Sequence, residues 1–446
     1  MKQITGVISN TENPVIFSVN EKSYDFYFLT PQIKDVIKYT PPIIIEPEDN
    51  FVYGLTHDRK KIAIYVGNKS IKVFGSKCFS TDTYFLSNYG IDVDIIDSFD
   101  GMSFYGGTVN SVFYMDALDI EIDDHYENIG KLKDDKKSFL IELEDEKIKM
   151  EISSEIKIYE GVSEHIIRND EAVLTIKFQS SKKIDEAIKY YSNICNMLSF
   201  MTFRSKVGFD KVCLLKKTEE FDFPVEYAEM FFKHNNNYSL KDTRKNLSIN
   251  DIEECFPKLA SLFLEKKEKR ILPMLGFIPE NDKDVYTISY KQIKEICSAL
   301  EYEYNYITDI NVYENAAVRQ LYNEVKTFIK EYRKTDNLIS DGTYDLIFGS
   351  IKHWSLSLKD KLYAVREKYE EEISVFNESP YNIDDTAIKE FVNCRNGSTH
   401  GGESNLTEKV AETAFCLIGV VYCCILERIG LEKDKLKELC KYRLLK

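Results

Sequence analysis

The apolar residues of this chain keep two different periods, and the change between them constrains the fold more than any other feature. From the start to about residue 180 the spacing is mostly two. Phe139, Ile141 and Leu143 alternate, with Leu140 the one apolar intruder on the wet face. Ile148, Met150 and Ile152 follow the charged turn Glu144–Lys147, and Leu174, Ile176 and Phe178 repeat the scheme. Ile62–Val66 and Ile71–Val73 flank Gly67-Asn68-Lys69, which reads as a hairpin. Many short strands, each with one wet face, predict an antiparallel sandwich or open barrel.

Then the period lengthens. Ile184, Ile188, Tyr191, Cys195 and Leu198 step by four, three, four and three, the pattern of an amphipathic helix. Lys211–Leu215 is strand-like, and residues 225–270 read as mostly helical. They end in Lys266-Lys267-Glu268-Lys269-Arg270, a solvated charge run rather than a nucleic-acid site. A loop-like passage from Leu272-Pro273 to Asp284 divides the chain into domains 1–271 and 285–446. Beyond it the chain reads as all helix. Val318, Leu321, Val325, Phe328 and Tyr332 form one stripe. Ile347, Ile351, Trp354, Leu358, Leu362 and Val365 form another, over about five turns. Thr407–Ile429 is apolar nearly all round, so several neighbours must cover it. The fold class is therefore α+β: a β-rich N-terminal domain, sandwich- or barrel-like with added helices, then a bundle of four or five helices.

Size agrees with this division, since 446 residues exceed one typical core. A hydrophobic fraction of 43% with only 10 Pro describes a folded chain without long disordered linkers. The ten cysteines form no CxxC pair, and Cys416, Cys423 and Cys424 sit in an apolar run as small hydrophobes. That usage fits a reducing compartment rather than a disulfide framework or zinc site. The first residues lack an apolar signal core, and the longest apolar run, Ala414–Leu426, is too short to span a bilayer. A soluble, cytoplasmic protein without membrane contact is expected.

One stretch gathers the chemistry: Phe391-Val392-Asn393-Cys394-Arg395-Asn396-Gly397-Ser398-Thr399-His400. Ile388, Phe391, Val392 and Arg395 fall at helical spacing, so a guanidinium extends an apolar stripe, and Asp384-Asp385 supplies an N-cap. The helical pattern breaks at Gly397, and Gly401-Gly402 let His400 return beside the helix end. A fixed cation beside an imidazole suits phosphodiester cleavage of RNA, which carries its own nucleophile in the 2′-OH. His400 can move the proton, Arg395 can hold the phosphate and its developing charge, and Asn396 can orient either. The bland reading pairs Arg395 with a bundle carboxylate such as Glu301 and leaves His400 as an ordinary loop residue. A net charge of −15 weighs against nucleic acid. The acidity lies elsewhere, however, because from Tyr381 onward ten Lys and Arg balance ten Asp and Glu.

The spacing Arg-x4-His with Asn after the Arg, set in a helical C-terminal domain, resembles the signature of HEPN ribonucleases. The layout as a whole is similar to ApeA-type antiphage proteins. The resemblance implies a metal-independent, cofactor-free endoribonuclease with Arg395, Asn396 and His400 as catalytic residues. It implies a homodimer through the HEPN domain, in which two motifs share one cleft. It also implies abortive-infection defence, with an N-terminal domain that senses infection through a phage-derived trigger or restrains the nuclease. Host RNA is the expected substrate, with tRNA anticodon loops favoured because single-stranded loops expose a flexible 2′-OH. The rival is a catalytically inactive HEPN dimerisation module carrying a β-rich domain that binds protein or glycan.

Other motifs carry less. No GxGxxG, GxxxxGK[ST] or GxSxG occurs. Gly101 and Gly106-Gly107 suit a β-turn or bulge, and Asp116–Asp124 suits a wet strand edge. His57, His125, His165, His234 and His353 have no metal-ligand spacing, and Trp354 belongs in the core.

Overall fold

The computed structural model describes residues 3–9, 11, 13–20, 23–30, 42–88, 98–113, 118–122, 128–132, 136–160, 166–218, 221–233, 246–265, 273–307, 316–335, 339–352, 357–376, 379–380, 383–400 and 406–444. At some of these, 398–400 among them, it describes the backbone alone. The chain forms two compact units. One comprises Met1–Lys241 and Phe256–Lys266, the other Asp242–Cys255 and Lys267–Lys446.

The period-two half of the sequence builds one antiparallel sheet of thirteen strands. From one edge the order runs Lys137–Glu142, Lys147–Glu160, Ile166–Lys182, Phe99–Tyr105, Lys211–Thr218, Phe221–Phe232 and Thr83–Ser87. It continues through Lys61–Tyr65, Phe51–Thr56, Gln3–Ile8, Ile16–Asn20 and Asp25–Leu29 to the other edge, Ser76–Ser80. Alternation sets the register: Met150 stands opposite Ile176, which stands opposite Met102, and all three are fully buried. Helix Glu186–Thr202 covers this part of the sheet, with Tyr190 on Phe178 and Tyr191 on Phe104 at ring distances of 4.5 and 6.5 Å. Helix Phe256–Leu264 adds Phe256 against Phe139 at 5.0 Å and Phe263 against Phe200 at 5.8 Å. A second cluster, including Phe17, Phe26, Phe28, Ile62 and Ile64, fills the other end of the sheet. Each such phenylalanine contributes on the order of 2 kcal/mol by leaving water.

Two expectations for this half are corrected. Lys61–Tyr65 and Ile71–Val73 do not pair as a hairpin. Lys61–Tyr65 lies between Phe51–Thr56 and Thr83–Ser87, and Ile71–Val73 pairs with Ile43–Ile45. The turn bonds backwards instead: the Val66 and Gly67 N–H groups both donate to Asn50 O. Residues 225–232, expected to be helical, belong to the strand Phe221–Phe232, because ladders to Lys211–Thr218 and Thr83–Ser87 outweigh local spacing. The charge run at 266–270 lies outside the described residues. Gly101 sits at a register shift, and Gly106-Gly107 turn the strand into helix Thr108–Val112 with φ of 58° and 55°.

The second unit is helical: Tyr290–Glu303, Ala316–Thr335, Asp341–Lys352, Leu358–Lys368, Asp385–His400, Glu408–Arg428 and Lys433–Leu439, with shorter turns between. At its centre is Glu408–Arg428, the core helix, buried almost continuously from Val410 to Leu426. Its length and composition would allow it to cross a membrane, yet most of it is enclosed by neighbours, as in a core helix. Cys416, Cys423 and Cys424 pack inside it as expected. The five-turn stripe proves to be two helices. A capping box at Ser357 and Asp360 starts the second, while His353 and Trp354 lie outside the described residues. The first stripe is also rotated. Ile329, with Tyr322 and Val325, meets Tyr344 and Ile351, whereas Leu321, Phe328 and Tyr332 are exposed.

Near the end of the core helix, Arg428 Nη2 reaches Glu303 Oε1 at 3.1 Å and its guanidinium lies 4.3 Å from the Tyr306 ring. Glu303 is only 2% exposed and its Oε2 has no hydrogen-bond partner. Burial raises its carboxyl to about 7, because desolvation outweighs the opposing pull of Arg428. A raised native pKa means the folded state holds this proton longer than the unfolded state does. Stability from this group is therefore present below the unfolded value and lost as pH rises toward 7.

Two measurements follow. Thermal melts of wild type should show this loss between roughly pH 4.5 and 7, and Glu303→Gln should flatten it. Gly107→Ala should be severely destabilising, since its Cβ would stand 2.4 Å from Gly208 O. Gly67→Ala, with φ of 64° but nothing within 4 Å, should cost only about 1 kcal/mol in backbone strain.

Candidate active site

Arg395, Asn396 and His400 all lie on helix Asp385–His400, the motif helix. Asp384 caps it: Oδ1 accepts from the Ala387 N–H at 2.6 Å, and Lys409 Nζ stands 3.3 Å away. These contacts, the backbone bond first, hold the Asp384 carboxyl below its ordinary range. The second carboxylate of the expected cap, Asp385, instead pairs with Arg366 at 2.7 Å and so ties the motif helix to Leu358–Lys368. The motif helix also packs against the core helix and Tyr290–Glu303.

Its buried face is Ala387, Ile388, Phe391 and Cys394. Arg395 therefore stands at the margin of that face, half-buried, rather than continuing it. Its Nη1 donates to Asn396 Oδ1 at 3.1 Å, so the exposed neighbour fixes the direction of the guanidinium. Arg395 also acts on Cys297 in helix Tyr290–Glu303. Burial pushes that thiol up to about 12, and the Arg395 charge opposes the rise. Glu301, weighed as the partner of Arg395, adds to the rise, so both charges are felt at one thiol.

The helix does not break at Gly397. It continues through Ser398 and Thr399 and has His400 as its last residue. A glycine in a helix costs only about 1 kcal/mol relative to alanine, less than abandoning a turn of backbone hydrogen bonds. The expected fold-back of His400 is thereby corrected, and Gly401-Gly402 lie outside the described residues. The consequence is geometric. Five residues of helix place the His400 backbone about 140° around the axis and about 7.5 Å along it from Arg395. Asn396, four residues before His400, shares its side of the helix.

The chain is anchored again just past the motif. The Leu406 N–H donates to Tyr290 Oη at 3.2 Å, and the Thr407 hydroxyl accepts from the Val410 N–H at 3.2 Å. Tyr290 and Cys297 were not singled out by sequence reasoning, although Cys297 falls in the helical stripe Ile293, Ile296, Cys297 and Leu300. A cation with several N–H donors beside an oriented amide can hold a phosphate, and an imidazole one turn on can exchange a proton with a bound ribose.

Elsewhere, His57 is exposed just beyond strand Phe51–Thr56, and His125, His165, His234 and His353 lie outside the described residues. Among the described residues no group of three or more His, Cys, Asp or Glu is placed to hold a metal. Residues 294–435 match the family model of the Apea-like HEPN domain. No curated protein and no solved structure shows a significant match to the chain. The matched segment begins within helix Tyr290–Glu303, ends within Lys433–Leu439 and contains Arg395, Asn396 and His400. Over residues 294–435 the helical unit of this chain is thus similar to the Apea-like HEPN domain.

Proposed function

We propose that the chain is a metal-independent endoribonuclease of antiphage defence that cuts host RNA, with tRNA anticodon loops as the favoured target. The observation that carries this reading is the Arg395–Asn396 hydrogen bond one helical turn before His400, inside an Apea-like HEPN domain. In the reaction His400 takes the proton of a ribose 2′-OH. O2′ attacks the adjacent phosphorus, the bond to O5′ breaks, and the products are a 2′,3′-cyclic phosphate and a 5′-OH. Arg395 holds the phosphate and stabilises the charge that develops on its oxygens, an interaction worth more in the transition state than in the ground state. Asn396 keeps the guanidinium aimed.

One histidine serves poorly as both base for the 2′-OH and acid for O5′. A homodimer through the HEPN domain, presenting two motifs to one cleft, supplies the second. The β-rich unit then senses a phage-derived trigger or restrains the nuclease in the cytoplasm. The rival reading, an inactive dimerisation module beneath a protein- or glycan-binding domain, predicts no cleavage at all.

The test is incubation of purified protein with total tRNA in excess EDTA, followed by analysis of fragment ends. Wild type should give discrete fragments with cyclic-phosphate ends, and a 2′-deoxy substitution at the cut position should abolish the cut. His400→Ala should lose on the order of 10²–10⁴ in rate, and Arg395→Ala a comparable factor. Intact RNA in every lane, together with harmless expression of wild type in cells, would sink the proposal. Asn396 is a positioning residue. Asn396→Ala should lose roughly tenfold to a hundredfold through kcat, while Asn396→Asp, which keeps the acceptor for Arg395, should lose less.

A further inference from the structure

Helix Ala316–Thr335 and helix Asp341–Lys352 form an arm of the helical unit with an apolar cluster of its own. Arg333 staples the pair, reaching Asp341 Oδ1 at 2.8 Å and Asp345 Oδ1 at 3.3 Å. The other cations of the longer helix are arranged differently. Arg319, Asn323, Lys326, Lys330 and Lys334 follow one another at steps of four, three, four and four. At about 100° per residue they occupy a single strip roughly 80° wide, and from Arg319 to Lys334 it extends about 22 Å. Arg319, Lys330 and Lys334 are exposed, and no described carboxylate pairs with any of them. Lys326 lays its Nζ over the Tyr322 ring at 5.4 Å. The acidic residues of this helix, Glu324 and Glu331, fall outside the strip, and Glu324 takes a hydrogen bond from Gln320 at 2.8 Å. The exposed apolar residues Leu321, Phe328 and Tyr332 lie on the opposite flank.

A cationic strip without intervening acid is unusual on a chain of net charge −15. Such a chain repels polyanions at long range, so an RNA substrate needs a local surface that reverses the sign. We propose that Arg319, Lys326, Lys330 and Lys334 form a phosphate rail that holds the RNA substrate on the helical unit. The fit is one of charge and length: successive phosphates of an extended strand run along the strip, each displacing counterions, with no base being read. This inference rests on the ribonuclease reading, since it names the surface by which the substrate of that site is held.

The experiment uses the full chain carrying His400→Ala, so that RNA is bound without being cut, and a fluorescein-labelled oligouridylate as probe. Anisotropy titrations across a range of salt concentrations give the affinity and the slope of log K against log salt. Replacing Arg319, Lys330 and Lys334 together by alanine should lower the magnitude of that slope by about 2 and the affinity on the order of tenfold or more. The pair Lys330→Arg and Lys334→Arg should retain both values. In an otherwise wild-type background the alanine variant should cut tRNA with a raised KM and little change in kcat. An unchanged slope in the alanine variant overturns the rail and leaves the nuclease standing. Loss of binding in the arginine pair also overturns it, because the effect would then follow shape rather than charge. Absence of salt-dependent binding in the parent overturns it too. Cleavage of tRNA by wild type in the same preparation decides whether the ribonuclease reading falls with it.

Discussion

Enclosure of the core helix is the constraint on which the helical unit depends. A helix apolar on nearly every side cannot face water, and Val410 to Leu426 are almost continuously buried. Its neighbours must therefore be arranged around it. Helix Tyr290–Glu303 and the motif helix both pack directly against it. This geometry decides which side chains of the motif helix reach solvent. Ala387, Ile388 and Phe391 spend the inner face of the motif helix on packing, so the polar residues Asn393 and Asn396 are left toward solvent. Arg395 falls at the margin between the two, where a cation stays partly hydrated and can still act on Cys297.

Charge inside this unit is handled in two ways. Where a carboxylate is exposed, as at Asp384, the helix end and a lysine keep it ionised. Where it is buried, as at Glu303, even a guanidinium at 3.1 Å does not offset the loss of water. Arg428 is shared between that carboxylate and the Tyr306 ring, so the core helix ends in a polar knot rather than a frayed turn. The motif helix gains its fixity from its beginning, and helix Ala316–Thr335 from Arg333.

Much of this was legible in the sequence, for reasons that differ by element. The strands around Ile148 and Leu174 alternate cleanly because one of their faces is wet, and the core helix declares itself by being apolar all round. The hairpin at Gly67 misled because local turn chemistry says nothing of which distant strand will pair. The Ile43–Ile45 partner of Ile71–Val73 lies far back in the chain. The stripe on Ala316–Thr335 had the right period but the wrong phase, since its partner helix covers only half of a broad apolar arc. Spacing alone brings Arg395, Asn396 and His400 together, whereas the glycine between them predicts a stop that the helix does not make. Propensity is a weak prior, and here the helix carries on regardless. The cationic strip is present as a four-three-four-four spacing, obscured by the apolar residues that interleave with its cations.

The division of the chain has a consequence for how the molecule is made. Residues 242–255 belong with the C-terminal unit, while 256–266, which carry Phe256 and Phe263, return to the β-rich one. The strands themselves close over long separations, as where Tyr24 Oη meets Phe232 O across 208 residues. On the ribosome the sheet can assemble only after its last strand and covering helix emerge. By then a stretch is already threaded between them whose own neighbours are still unsynthesised. No single cut between residues 241 and 267 yields two complete halves: wherever it falls, one unit forfeits part of its chain to the other. Separating the β-rich unit from the helical one therefore takes more than a single proteolytic nick in this stretch.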